Sequence, residues 1–125
     1  MQEIGKVVNP TLAAGQIEGG VAQAIGYGIY EKVVWEEGRM INNRMTNYIM
    51  PTAADLPPIR VFFEESDNPH GPWGAKGIGE LPMDGAAPAI LSAVENATGI
   101  AVNSIPMLPE DLMLAFDAHQ ESTNG

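Results

Sequence analysis

The chain has 125 residues, enough for one domain with a core, and 45% of them are hydrophobic, so disorder is not the default reading. Sixteen acidic against six basic residues give a net charge of −10, which disfavours nucleic acid or an anionic membrane surface as a partner, because phosphate would be repelled. The absence of cysteine excludes disulfides and thiolate chemistry, and two histidines far apart in sequence, His70 and His119, are a poor basis for a metal site.

The opening stretch, "MQEIGKVVNP", runs through apolar residues into a turn without a polar lead-in, as a piece of a longer polypeptide would. No apolar run is long enough to span a bilayer, and no secretory signal is visible. From Thr11, a plausible N-cap, "TLAAGQIEGGVAQAIGYGIYEK" repeats apolar residues at helical spacing (Ile17, Val21, Ile25), predicting a helix over 11–32. Five glycines lie inside it, each costing about 1 kcal/mol relative to alanine. Gly15, Gly19, Ala22 and Gly26 share one face, and Gln16, Gly20, Gln23 and Tyr27 a more polar neighbouring one. Such a small-residue face suits tight packing or close approach of a flat ligand, and both readings stand.

"KVVWEEGRMINN" predicts a hairpin turning at Glu37-Gly38. Prolines 51, 57 and 58 make "TNYIMPTAADLPPI" an extended loop, with Asp55 capping a turn. In "IRVFFEES", Ile59, Val61 and Phe63 alternate against Arg60, Phe62 and Glu64, predicting a strand buried on one face. "DGAAPAILSAVENATG" predicts a helix over 85–98 that Asp84 caps and Gly99 closes, and a last helical segment begins near Pro109 with Glu110 and Asp111 at its positive end. These elements predict an α+β domain over 1–118. Its small, mostly antiparallel sheet (33–44 and 59–65) carries helices on one side, and a polar, disordered tail follows over 119–125.

The most unusual stretch is "GPWGAKGIGELP", residues 71–82, with four glycines in nine residues before a single carboxylate, Glu80. It is not a Walker loop, because Lys76 is followed by Gly77, and it lacks the dinucleotide fingerprint. Glycines at 74, 77 and 79 nonetheless allow positive φ and leave backbone amides open to an oxygen-rich group. Glu80 is held between Gly79 and Pro82 and in a dry site would serve as a general base. It reads equally as a surface acid, a partner for Lys76, or a cap for the following helix.

Four motifs in order, "GKVVNP", "GQIEGGVAQAIGYGIYE", "TNYIMPTAADLPPI" and "GPWGAKGIGELPM", carry a resemblance over about 5–116. Together they resemble the C-terminal part of the large, molybdenum-binding subunit of the xanthine dehydrogenase/aldehyde oxidase family of molybdenum hydroxylases. The resemblance implies oxidative hydroxylation of an aldehyde or N-heterocycle with water as oxygen source. It implies molybdenum on molybdopterin, as such or as a dinucleotide, with iron–sulfur and flavin centres on other domains or subunits. It assigns Glu80 as the active-site general base, Gln16 as a pterin contact, and Lys76, Gly77, Ile78 and Gly79 as backbone lining the cofactor.

The family subunit is several times longer. The expected partners are therefore the remainder of the molybdenum subunit and the electron-transfer subunits, with no cofactor held and no turnover by this chain alone. The expected location is the cytoplasm, or the periplasm if the full-length protein is exported. A self-associating patch is expected around Gly15, Gly19 and Gly26. The alternative is a non-catalytic binding or assembly module with the same fold; the upstream coding sequence discriminates the two.

Overall fold

The computed structural model describes residues 1–123. In chain order the elements are β1 (Gln2–Glu3), α1 (Pro10–Ile29), β2 (Trp35–Glu36), β3 (Arg39–Met40), β4 (Phe63–Glu64), a 3₁₀ turn (Pro72–Gly74), α2 (Ala86–Thr98) and α3 (Pro109–Thr123). The α+β class holds. The strands do not form one mostly antiparallel sheet with helices on one side. β2 and β3 make an antiparallel ladder by themselves, and β4 pairs in parallel with β1. The proline-rich loop separates the segment at 59–65 from the hairpin, and its partner comes instead from the chain's first residues, with Gln2 N donating to Phe62 O at 2.9 Å. Ile59, Val61 and Phe63 are still the half-buried set and Arg60, Phe62 and Glu64 the exposed one.

Local chemistry explains the helix ends. α1 is capped by Asn9, not Thr11: Asn9 Oδ1 accepts from Leu12 N at 3.0 Å, and Pro10 takes the first helical position, where its missing N–H costs nothing. α2 begins after Gly85 without a side-chain cap, so Asp84 stands one residue outside the expected role. Gly99 closes α2 in the left-handed region at φ 74°, as its place after the last helical residue predicts. The hairpin turn at Glu37 and Gly38 has φ of 46° and 75°, the sign pair of a type I′ turn. Asp55 Oδ2 accepts from Thr52 N and Oγ1, both at 2.7 Å, and closes a turn in the extended loop. α3 continues to Thr123, so His119 to Thr123 of the expected tail are helical; Asn124 and Gly125 lie outside the described residues.

The core is small. Ile4, Ile17, Ala24, Ala87, Ile100 and Met107 are its buried apolar side chains, with Pro82 fully enclosed. Its axis is α1 against α2. A β-carbon built on Gly28 would sit 3.4 Å from Ala87, and Gly28 O accepts from Met107 N at 2.7 Å. The inward line of α1 is therefore Ile17, Gly20, Ala24 and Gly28, one register away from the face expected from sequence. Gly20 meets Pro82, where a β-carbon would lie 2.5 Å from the ring. Gly26 is buried beneath Glu31 and Pro51, so only Gly15 and Gly19 of the expected patch are exposed.

This division yields a test. Gly20→Val must displace Pro82 and is expected to destabilise the protein by about 1–3 kcal/mol. Gly15→Ala meets nothing within 4 Å in this chain and is expected to stabilise it by up to about 1 kcal/mol. Urea denaturation of this chain, with equal m-values for wild type and variants, measures both.

Candidate functional site

The glycine-rich loop is held at its foot by the chain's beginning. Gly5, at φ 66°, backs onto Gly74 O so closely that a β-carbon would collide with it. Lys6 N donates to Gly74 O at 2.9 Å and Lys76 N donates to Ile4 O at 2.8 Å. Asn68 Nδ2 donates to Ala75 O at 2.9 Å and closes the loop from its other side. At the tip, Trp73 takes φ 51° and is 84% exposed, an unusual backbone for a bulky residue.

Beyond Lys76 the chain crosses α1. Gln16 Nε2 donates to Gly79 O at 3.0 Å, and one turn further along the same helix face Pro82 sits on Gly20. Met83 N donates to Glu80 O at 2.9 Å, turning the backbone back toward α2. Glu80 is thus fixed on both sides by two points of one helix, through Gly79 and Pro82 as the sequence suggested. Its side chain is exposed here, not enclosed in a dry site. Gly77 and Gly79 are exposed as well, without positive φ, and an added β-carbon at either would meet nothing within 4 Å. Nothing in this chain requires glycine at these two positions. A shallow cavity of about 310 Å³ beside them is lined by Ile4, Leu12, Gln16, Lys76 and Ile78, among others.

The structure therefore brings Gln16, Lys76 and Ile78 to one groove, with Gly77, Gly79 and Glu80 on the adjoining rim. Lys76 does not pair with Glu80. Its Nζ lies 2.6 Å from Glu3 Oε2, and Glu3 Oε1 also accepts from Ser66 Oγ at 2.6 Å and Gly5 N at 2.7 Å. Glu3 and Ser66 escape sequence reasoning because they stand 73 and 10 residues from Lys76; the only local signal is an acid two residues before Gly5. Hydrogen bonds from Lys76, then Ser66, then the Gly5 amide pull the Glu3 carboxyl from 4.5 down to about 2. Among the described residues, no group of three or more His, Asp or Glu side chains could hold a metal ion, and no helix is long and apolar enough to cross a membrane.

Comparison with known proteins adds four findings. Residues 1–57 match the molybdopterin cofactor-binding domain family. The chain is 36% identical over 118 residues to the xanthine dehydrogenase molybdenum-binding subunit of Escherichia coli O157:H7, covering 93% of this chain and 16% of that one. It is 37% identical over 114 residues to subunit gamma of the 6-hydroxypseudooxynicotine dehydrogenase complex of Paenarthrobacter nicotinovorans, covering 88% of this chain and 14% of the relative. Quinoline 2-oxidoreductase from Pseudomonas putida 86 superposes with a TM-score of 0.84 at 33% identity, over 92% of this chain and 15% of that structure. The chain thus spans about one sixth of the length of the relatives it matches.

The Glu3 carboxyl supplies a pH test. Its folded pKa is depressed, so its contribution to stability is complete above the unfolded value of 4.5 and is lost as pH falls toward about 2. Carbon-detected NMR of the Glu3 carboxyl is expected to titrate near 2, and Lys76→Met to return the midpoint toward 4.5. A midpoint above 4 in the unmodified chain contradicts the three-donor arrangement.

Proposed function

We propose that this chain is the C-terminal part of the molybdenum-binding subunit of a molybdenum hydroxylase that oxidatively hydroxylates an aldehyde or N-heterocycle. The observation that carries the reading is the Gln16 Nε2 to Gly79 O hydrogen bond at 3.0 Å. It joins two segments 63 residues apart, each assigned to the cofactor on separate motif grounds. The likeness to molybdenum-binding subunits over nearly the whole chain supports the same reading.

The residues present suit molybdopterin. The rim Lys76–Gly79 offers exposed backbone with no side chain at two of four positions, so a flat, polar group can lie against the peptide edge. Gln16 uses its amide nitrogen on Gly79 and keeps its oxygen to accept from a ring N–H. Bound there, the cofactor supplies the two-electron oxidation that accompanies oxygen transfer from water. Glu80 then accepts a proton as the water-derived oxygen is delivered to the electrophilic carbon, and the helix contacts on either side hold its backbone through the step. Enclosure of Glu80 falls to the rest of the subunit, as do most substrate contacts. Iron–sulfur and flavin partners carry electrons away.

Two variants of the complete enzyme separate chemistry from binding. Glu80→Gln keeps size and hydrogen bonding and is expected to lower turnover at least about a hundredfold with molybdenum content near normal. Gln16→Ala is expected mainly to reduce molybdenum and pterin content. Near-wild-type turnover in Glu80→Gln, at saturating substrate, excludes the general-base role. For the 125-residue chain alone, metal analysis and activity assays are expected to show neither molybdenum nor hydroxylation. Stoichiometric molybdenum in that preparation overturns the division of labour proposed.

A further inference from the structure

We propose that Glu3 is a positioning residue for the cofactor-facing rim: its carboxylate gathers Gly5, Ser66 and Lys76 at one point and so sets where Lys76–Gly79 lies relative to Gln16. The inference rests on the functional reading above, since the rim matters only if a cofactor lies against it.

Three donors from three separate stretches of chain converge on this one side chain. Gly5 N and Ser66 Oγ reach Oε1 at 2.7 and 2.6 Å, and Lys76 Nζ reaches Oε2 at 2.6 Å. The backbone alone leaves the rim under-determined. Lys76 N is bonded to Ile4 O, and the next anchor along the chain is Gly79 O on Gln16, so Gly77 and Ile78 bridge two fixed points. Glycine at 77 has no neighbour within 4 Å to restrict it, and a glycine-bearing bridge samples many conformations. Tying the Lys76 side chain to Glu3 adds a second hold on the bridge's first residue beside its backbone bond to Ile4. The tie points Lys76 toward β1 and away from Glu80, which keeps a cation from neutralising the carboxylate that must accept a proton. Ser66 extends the constraint to the segment leaving β4, so the rim, β1 and β4 are joined at one side chain.

The test uses the complete holoenzyme. Glu3→Gln keeps an oxygen that accepts from Gly5 N and Ser66 Oγ but turns an amide toward Lys76, donor against donor, so only the Lys76 arm is cut. Pterin release, followed by the fluorescence of the oxidised pterin after dilution, is expected to accelerate about tenfold, as loss of a supporting partner does at bound cofactors and metals. Lys76→Met is expected to accelerate it equally and the double variant no further, the signature of one coupled pair. Melting temperatures of the cofactor-free variants are expected to fall only slightly, because the pair is half-exposed, and not to rank with the release rates. Wild-type release in Glu3→Gln overturns the positioning role while the functional reading stands. Additive effects, or release that tracks a fall in melting temperature, also overturn it, because they assign Glu3 to the fold alone. Should Glu3→Gln not fold, Lys76→Met decides by the same two readouts. Absence of molybdopterin from the wild-type enzyme overturns both readings.

Discussion

The structure depends on one long-range attachment, the docking of residues 74–82 between β1 and a single face of α1. Backbone pairing of Ile4 and Lys6 with Lys76 and Gly74 holds one end of the segment. The Gln16 hydrogen bond and the Gly20–Pro82 contact hold the other. A hydrogen bond of this kind contributes about 1 kcal/mol net, so no single one secures the loop. Cooperation does: Gly20 admits Pro82 only because it has no side chain, and Pro82 in turn fixes the chain two residues after Glu80. Two of the five glycines that weaken α1 as an isolated helix, Gly20 and Gly28, are thus the ones that let it receive the loop and α2.

Burial is the complementary constraint. Six apolar side chains form the core, whereas Leu12, Ile49, Phe62 and Trp73 are each at least 60% exposed. Isolated exposed apolar residues are ordinary, and of these four only Leu12, on α1, lines the groove. The chain itself spans about one sixth of the length of the molybdenum-binding subunit it matches. Under the proposed function, this chain supplies a carboxylate and a backbone rim, and the rest of a longer subunit supplies enclosure.

The electrostatics run in the same direction. With a net charge of −10, a lysine near Glu80 would find many competing acids. Geometry selects Glu3, because Lys76 N is already bonded next door at Ile4, and the ammonium reaches the acid with little freedom left to lose. The pair is half-exposed, and its worth lies in placement more than in stability.

Local chemistry in the sequence was enough to place the bodies of the helices, though not their N-caps or the end of α3, together with the turn at Glu37-Gly38, the left-handed stop at Gly99 and the alternation of Ile59, Val61 and Phe63. Each depends on neighbours within a few residues, through periodicity, capping or a permitted φ. The motif order carries the resemblance on which the proposal for Glu80, Gln16 and Lys76–Gly79 rests. Tertiary structure alone decided which partner β4 pairs with, which glycines of α1 face inward, and that Lys76 joins Glu3 instead of Glu80. Those outcomes turn on contacts between residues tens of positions apart, where several pairings satisfy the same local preferences. Only simultaneous packing of the whole chain distinguishes among them.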